Sequence, residues 1–146
     1  MPSLDINVRN AAPEDAEAIA RLMGCLGYHT TAEQMRNRLD AIGRERSYAT
    51  FVVIANDKLV GVVGACVCPL YEEDTPVGRV VALCVAPATR GSGFGTALVE
   101  RAERWLREKG VSAVLVNSGN ERDDAHAFYT RLGYDATGVR FRKSFK

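Results

Sequence analysis

A short glycine-rich segment at the centre of the chain has the residue types to bind phosphate: Arg90-Gly91-Ser92-Gly93-Phe94-Gly95. It follows an apolar run ending at Val85, and helical spacing begins at Thr96, so we predict a strand, a turn and a helix. Backbone N–H groups at a helix N-terminus lack partners and lie at the positive end of the helix dipole, which favours an anion. Glycine leaves these N–H groups open and permits positive φ, and Arg90 adds a cation. A glycine-rich turn without a ligand is the alternative interpretation.

Two known phosphate-binding loops do not fit this segment. A P-loop requires Gly-Lys-Ser/Thr, whereas Gly95 is followed by Thr96 and Ala97. The dinucleotide fingerprint is Gly-x-Gly-x-x-Gly in the first βαβ unit of a parallel sheet, whereas the spacing here is Gly-x-Gly-x-Gly in mid-chain, after a predicted hairpin. Neither a P-loop nucleotide site nor a dinucleotide site is therefore predicted.

The cysteines do not have the spacing of a structural metal site. None of them forms a Cys-x-x-Cys pair, and both histidines, His29 and His126, are distant in sequence. We therefore predict no metal. Thiols in apolar surroundings are typical of a reducing compartment, so a cytoplasmic location is expected.

The elements that must position the turn are predicted from periodicity and turn signals. Strand patterns cover 5–10, 48–55, 58–68 and 77–85, with a hairpin turn at Asn56-Asp57. A helix opens near residues 12–15 and stops at Gly27, a second is capped by Thr30 or Thr31, and a third covers 96–109. The continuous apolar run 111–117 predicts a strand that is buried on both faces. A last helix over 122–132 and an edge strand over 139–145 complete the order β-α-α-β-β-β-α-β-α-β.

This order and the length of 146 residues predict one α/β domain over 1–146, a mixed sheet with helices on its faces. The net charge of +1 carries no basic excess, so we do not expect a nucleic-acid partner. The longest uncharged stretch, 59–71, is too short to span a bilayer, and no signal peptide is recognised at the N-terminus, so we expect no membrane partner.

The glycine-rich segment resembles the Arg/Gln-x-x-Gly-x-Gly/Ala signature of the GNAT superfamily of acyl-CoA-dependent N-acyltransferases. A second block, Ala125-His126-Ala127-Phe128-Tyr129 followed by Leu132-Gly133-Tyr134, is similar to the family's Ala-x-x-Phe-Tyr-x-x-x-Gly-Phe/Tyr pattern. Many relatives carry Asn three residues before that Ala, where this chain has Arg122, with Asn120 two residues earlier. The cofactor role that the family's pattern gives to this asparagine is therefore not carried over to Asn120 or Arg122.

The resemblance implies a mostly antiparallel sheet in which a central parallel pair of strands, ending at Val85 and Asn117, splays apart to receive acetyl-CoA. It places the pyrophosphate on the turn, and the pantetheine arm along the first of these strands and beside Asn117. The cofactor-binding residues implied in this way are Leu83, Cys84, Val85, Arg90, Gly91, Ser92, Gly93, Phe94, Gly95, Thr96 and Asn117.

The resemblance also implies that Tyr129 protonates or stabilises the departing thiolate; aromatic packing is the alternative. No Asp or Glu lies on the strand before the turn, so the general base stays open between His126 and the acidic loop at Glu72, Glu73 and Asp74. Both have plainer interpretations, a structural or solvent-facing histidine and a solvated acidic loop. Cys84 lies among apolar residues with no adjacent base and is interpreted as a packing residue. The basic residues Arg140, Arg142 and Lys143 could meet an anionic substrate or protect a strand edge.

The activity implied is N-acetyl transfer from acetyl-CoA to the primary amine of a small molecule by direct attack in a ternary complex. The alternatives are a non-catalytic acyl-CoA-binding or sensor module and a protein or peptide N-acetyltransferase. A weaker, local similarity over 122–143 to aminoalkylphosphonate N-acetyltransferases is a hint about the substrate. Because many relatives dimerise, a homodimer is a further expectation.

Overall fold

The computed structural model describes residues 6–25, 27–117 and 123–145. The chain divides between Leu115 and Val116 into two compact units, and each is described by itself.

The first unit is built on a five-stranded sheet in the order β1-β2-β3-β4-β5. Its strands are β1 (Ile6–Asn10), β2 (Tyr48–Ala55), β3 (Lys58–Cys68), β4 (Val77–Val85) and β5 (Val114–Val116). The first four pair antiparallel, and β5 runs parallel to β4. The start of this parallel pair is held by bonds from Gly78 N–H to Ala113 O (2.8 Å) and from Ser112 N–H to Pro76 O (3.1 Å). The mixed, mostly antiparallel sheet predicted from the sequence is confirmed.

Helices cover both faces of this sheet. They are α1 (Ala16–Cys25), α2 (Ala32–Gly43) and α3 (Phe94–Glu108), and a 3-10 turn over Pro13–Asp15 precedes α1. Thr31 caps α2: its side chain accepts from Gln34 N–H at 3.0 Å, and the Gln34 side chain accepts from Thr31 N–H at 2.9 Å. The second unit contains α4 (Asp123–Arg131).

The register assigns each helix to a face. Val52, Val62 and Cys84 are aligned across β2, β3 and β4, and they share one buried cluster with the apolar residues of α1 and α2. Their strand neighbours point the opposite way because side chains alternate along a strand. On that opposite face α3 lies so close that a Cβ added to Gly61 would meet Leu98 Cδ1 at 2.9 Å. The core is therefore a helix pair, a sheet and a third helix in layers.

Three elements differ from the sequence-based expectations. Helix α3 begins at Phe94 rather than Thr96, because Gly93 in the left-handed region (φ 85°) is its N-cap. The strand predicted over 111–117 covers only Val114–Val116 and is not fully buried, with Leu115 37% exposed. Val111 is instead used to close α3, since its N–H donates to Leu106 O at 3.4 Å.

The third difference is the edge strand predicted over 139–145, which is wrong. No strand forms in this part of the described chain, and Val139, Phe141 and Phe145 are 73%, 91% and 90% exposed. The alternating pattern that predicted the strand gives side-chain direction alone, and a strand also requires a neighbour that completes its ladder. The predicted Asp5 and Arg122 ends of the first strand and last helix lie outside the described residues.

Candidate functional site

The turn between β4 and α3 is closed by its own hydrogen bonds. After β4, Pro87–Thr89 form a 3-10 turn, and Thr89 Oγ1 donates to Ala86 O at 2.9 Å. Ser92 N–H donates to Thr89 O at 3.3 Å. These bonds fix the path of the chain without using the amides that follow Ser92.

Two glycines in the turn have backbone angles that other residues adopt at a cost. Gly91 has a φ of 86° and Gly93 a φ of 85°, both in the left-handed region. A left-handed conformation costs an L-residue about 1–2 kcal/mol. A Cβ built on either glycine would meet nothing within 4 Å, so no neighbouring group fills the space beside these two residues. The glycines are therefore explained by the turn's conformation and by the open approach to its backbone, and not by tight packing.

The amides at the start of α3 point out of the helix without helical partners. The first bond that closes into the helix runs from Ala97 N–H to Gly93 O at 3.0 Å. The N–H groups of Phe94, Gly95 and Thr96 consequently have no partner inside α3. Gly93 supplies no side-chain cap to them. A helix of this length also places the positive end of its dipole here, so an anion is the group that this turn accepts best.

Side chains around the turn have different roles from one another. Phe94 is 4% exposed and anchors the start of α3 in the core, so only its backbone N–H is open to a ligand. Arg90 and Ser92 are exposed beside the turn. An exposed cation and a hydroxyl thus lie in the same turn as the three amides.

Three further predicted residues, Leu83, Cys84 and Val85, lie at the end of β4. Ala86 N–H bonds to Val60 O at 2.8 Å, so the register Val62–Cys84 places the backbone groups of Cys84 on the β3 side. By the same alternation, the N–H and C=O of Leu83 and Val85 point away from β3. The Cys84 thiol lies 3.8 Å from Met23 Sδ in the apolar cluster, as expected of a packing residue. Leu83 and Val85 therefore offer the backbone groups that a ligand along β4 would use.

The second unit holds the other two predicted site residues. Asn117 is exposed after β5. Tyr129, on α4, packs edge-on against Phe128 (ring centroids 5.1 Å apart) and Tyr134 (5.7 Å). The N–H of Tyr134 also donates to Tyr129 O at 3.0 Å. Sequence reasoning assigned Tyr134 no role, and the signal that could have found it is its place just after the helix-ending Gly133.

The candidates for a general base and for substrate contacts are all exposed: Glu72, Glu73, Asp74, His126, Arg140, Arg142 and Lys143. Asn120 and Arg122 lie outside the described residues. Within the described ranges, no group of three or more His, Cys, Asp or Glu side chains is placed to hold a metal ion.

The sequence profile of the Acetyltransferase (GNAT) family matches residues 15–134, which include the turn, β4 and α4. The chain belongs to this family. As a GNAT member it is an acyltransferase, and the family uses acetyl-CoA. No helix in the described part of this acetyltransferase is long and apolar enough to cross a membrane.

Two relatives are similar to this GNAT enzyme over nearly their whole length. An aminoglycoside N(6')-acetyltransferase type 1 of Stenotrophomonas maltophilia is 31% identical, covering 89% of this chain and 86% of its own. An aminoalkylphosphonate N-acetyltransferase of Salmonella typhimurium is 25% identical, covering 94% and 90%. Among solved structures, an aminoglycoside N-acetyltransferase in complex with CoA matches with a TM-score of 0.87 over 99% of this chain and 98% of that one. Since its sequence identity is 19%, it shows the fold alone.

Proposed function

We propose that this GNAT enzyme transfers an acetyl group from acetyl-CoA to the primary amine of a small molecule by direct attack within a ternary complex. The observation that carries the proposal is the turn after β4, where Gly91 and Gly93 at positive φ lead into the amides of Phe94–Thr96, which have no partner inside α3. These groups fit a diphosphate, because they combine open N–H donors, the helix dipole and the neighbouring Arg90.

The residues that would hold acetyl-CoA follow from this fit. The amides of Phe94, Gly95 and Thr96 and the guanidinium of Arg90 would bind the diphosphate, and the outward backbone of Leu83 and Val85 would bind the pantetheine arm. A single charge at an exposed helix N-terminus is stabilised by only about 0.3–1 kcal/mol, so useful affinity needs the whole set. The thioester supplies the activated acetyl group for transfer.

The incoming amine must first lose a proton. An alkylammonium with a pKa of about 10.4 costs about 4.6 kcal/mol to deprotonate at pH 7, at 1.36 kcal/mol for each unit. The exposed acidic loop, Glu72–Asp74, is suited to attract the cationic form and to pass its proton to solvent. The neutral amine would then form the C–N bond to the thioester carbonyl as the C–S bond breaks, and the proton that the nitrogen must lose would pass to solvent or to the departing thiolate.

The departing thiolate must be stabilised, and we assign this to the hydroxyl of Tyr129. Full proton transfer from a tyrosine near pKa 10 to a thiolate of a thiol near 8.5 is uphill by about 2 kcal/mol. The hydroxyl therefore acts mainly through a hydrogen bond that strengthens as charge develops on sulphur. The contacts of its ring with Phe128 and Tyr134 hold it in place on α4.

The acceptor class is proposed from the two relatives, whose names specify an aminoalkylphosphonate and an aminoglycoside. Both are small molecules with a primary amine, which favours such an acceptor over a protein. The cysteines of the described ranges form no disulfide, which supports a reducing, cytoplasmic location as part of the proposal. Homodimerisation stays part of the proposal.

A thiol-release assay with acetyl-CoA tests the activity. Aminoalkylphosphonates, aminoglycosides, polyamines and amino acids are offered separately, and release that depends on one class is expected. The acetylated amine is confirmed by mass spectrometry. If no class raises the release above the rate with water alone, the transfer proposal fails.

The cofactor assignment is tested by Gly93→Val, which combines a strained φ with a side chain beside the open amides. We expect acetyl-CoA affinity to fall at least about tenfold, measured by calorimetry, while the circular dichroism spectrum is retained. Gly138→Val is the matched control, since Gly138 is exposed, open around its Cβ and outside the turn. Equal dissociation constants for the two variants would remove the turn from cofactor binding.

A further inference from the structure

Two cysteines near the end of β3 form a pair that acetyl transfer does not use. Cys66 and Cys68 lie on the same face of the strand, and their sulphur atoms are 3.7 Å apart. Both are free thiols; Cys66 is 4% exposed, and Cys68 is half-buried beside Pro69. Tyr48 on β2 and Arg79 on β4 stand opposite Cys66 in the register.

The distance between the two sulphurs distinguishes a disulfide from a pair of metal ligands. A disulfide needs the sulphurs at about 2.05 Å and the Cα atoms within about 6.8 Å. Alternate residues of a strand are about 6.6 Å apart, inside that range. A disulfide would nevertheless require the two sulphurs to move about 1.6 Å closer together than they are here. A tetrahedral ion with bonds of about 2.3 Å to sulphur holds its two sulphurs about 3.8 Å apart. The observed 3.7 Å matches the second arrangement without movement of the strand.

The surroundings of Cys66 favour its protonated thiol, since burial is the largest influence on its pKa. Burial and the neighbouring Cys68 raise the pKa of the Cys66 thiol, whereas a hydrogen bond from Tyr48 and the charge of Arg79 act to lower it. The pKa of Tyr48 is itself raised, first by the charge on Cys66, so its phenol stays protonated and donates. A metal ion would take the place of the thiol protons and remove the cost of forming the thiolates.

We propose that Cys66 and Cys68 bind one thiophilic divalent cation of the Zn²⁺ and Cd²⁺ type through two thiolates, with water in its remaining positions. Two S–H bonds break, two metal–sulphur bonds form, two protons pass to solvent, and the six-coordinate aqua ion gives up four of its waters as it becomes tetrahedral. No electron is transferred. Since no third His, Cys, Asp or Glu joins the pair among the described residues, this is an exchangeable site and not a structural one.

The experiment is a Cd²⁺ titration of the full, reduced and chelator-treated chain, followed by the ultraviolet absorption of cadmium–thiolate bonds. We expect one equivalent of Cd²⁺ to produce the band, and Zn²⁺ to displace it. Cys66→Ser and Cys68→Ser should each weaken binding about tenfold or more, because each removes one of two ligands. Cys25→Ser is the matched control: Cys25 is an exposed thiol on α1, and its loss should change nothing.

Melting curves check that each variant is folded. Cys66→Ser buries a hydroxyl and can fail to fold. In that case the result for Cys68→Ser, at a half-buried position, decides the test. Uptake unchanged by Cys68→Ser, or lost in Cys25→Ser, overturns the proposal. Spontaneous conversion of the pair to a disulfide, seen as the loss of two hydrogens by mass spectrometry and with no Cd²⁺ band in the reduced chain, also overturns it.

Discussion

At the residue scale, the hydroxyl of Tyr129 can be separated from its ring by one substitution. Tyr129→Phe keeps the edge-on contacts with Phe128 and Tyr134 and removes the group assigned to the thiolate. Loss of a hydrogen bond that strengthens only in the transition state lowers kcat without a matching change in affinity. We expect kcat to fall about tenfold or more, and the KM for acetyl-CoA to change much less, in steady-state assays.

Tyr28→Phe is the control for this substitution, since Tyr28 is exposed on the first unit. Its kinetic constants should equal those of the unchanged chain. An unaltered kcat in Tyr129→Phe would leave the tyrosine with a packing role only.

A buried carboxylate links β1 to the helix that follows it and makes stability depend on pH. Asp15 accepts two bonds from Arg9, at 2.8 and 2.9 Å, and one from Ala12 N–H at 2.7 Å. The hydrogen bond from Arg9, together with that from Ala12, lowers the pKa of Asp15 despite its burial. A depressed folded-state pKa contributes stability above the unfolded pKa, and this stability is lost as the pH falls through the folded pKa.

Asp15→Asn should therefore lower the free energy of unfolding by about 1–2 kcal/mol at pH 7, a modest value because Arg9 is partly solvated. The difference from the unchanged chain should shrink as the pH falls below about 4, the ordinary range of an aspartate. Urea unfolding at several pH values measures it. The exposed Glu17→Gln is the control, and a difference independent of pH would show that Asp15 acts through packing alone.

At the scale of elements, α3 can lie close to the sheet because Gly61 has no side chain. A Cβ on Gly61 would meet Leu98 Cδ1 and Val53 Cγ1 at 2.9 Å and Cys84 O at 3.2 Å. Overpacking of this kind costs about 1–3 kcal/mol, and the nearby backbone oxygen limits relief by side-chain movement. We expect Gly61→Ala to lower the free energy of unfolding by that amount in urea titrations.

Gly64, on the same strand as Gly61, is the matched control for this substitution. A Cβ on Gly64 would have its nearest contact, Val81 Cγ2, at an ordinary 3.4 Å. Gly64→Ala should therefore be neutral or slightly stabilising, since alanine restricts the unfolded chain. Equal losses in the two variants would contradict a close approach of α3.

The sequence predicted β2, β3 and β4 with the bounds that the structure has, because apolar periodicity and strong turn residues mark both ends of each strand. Asn56 and Asp57, for example, adopt the positive φ of the predicted hairpin turn. The bounds of the strand within 111–117 could not be predicted, because an apolar sequence does not show that Val111 closes α3. For 139–145, alternation predicted a strand, but pairing depends on a partner that local sequence does not specify.

The candidate site could be predicted in type but not in detail. Glycine at positions 91 and 93 indicates positive φ, and that is what these positions adopt. The burial of Phe94 and the turn bond of Ser92 follow from where α3 begins, two residues before the helical spacing starts. Which amides stay open is thus a property of the helix start, and residue types alone do not fix it.

At the scale of the whole molecule, the cysteines report how cooperatively the first unit opens. Cys25 is exposed on α1, whereas Cys66 and Cys84 are buried in β3 and β4 on the sheet face that packs against the helix pair. A buried thiol reacts with a bulky reagent only when its surroundings open, and central strands open at a cost near that of global unfolding.

With excess maleimide under native conditions, we expect Cys25 to be modified first and the buried Cys66 and Cys84 last, resolved by peptide mass spectrometry. The slow rate of modification at Cys84 should rise with urea in parallel with the unfolded fraction. This is because the reagent modifies only the open form, and the rate follows the population of that form when closing is faster than modification. Cys25→Ser should remove the fast phase, and in concentrated denaturant all four thiols should react alike. Rapid reaction of Cys84 while β4 remains protected from hydrogen exchange would contradict this expectation. It would show that the helix pair opens away from an intact sheet, so that the layers of the first unit do not open together.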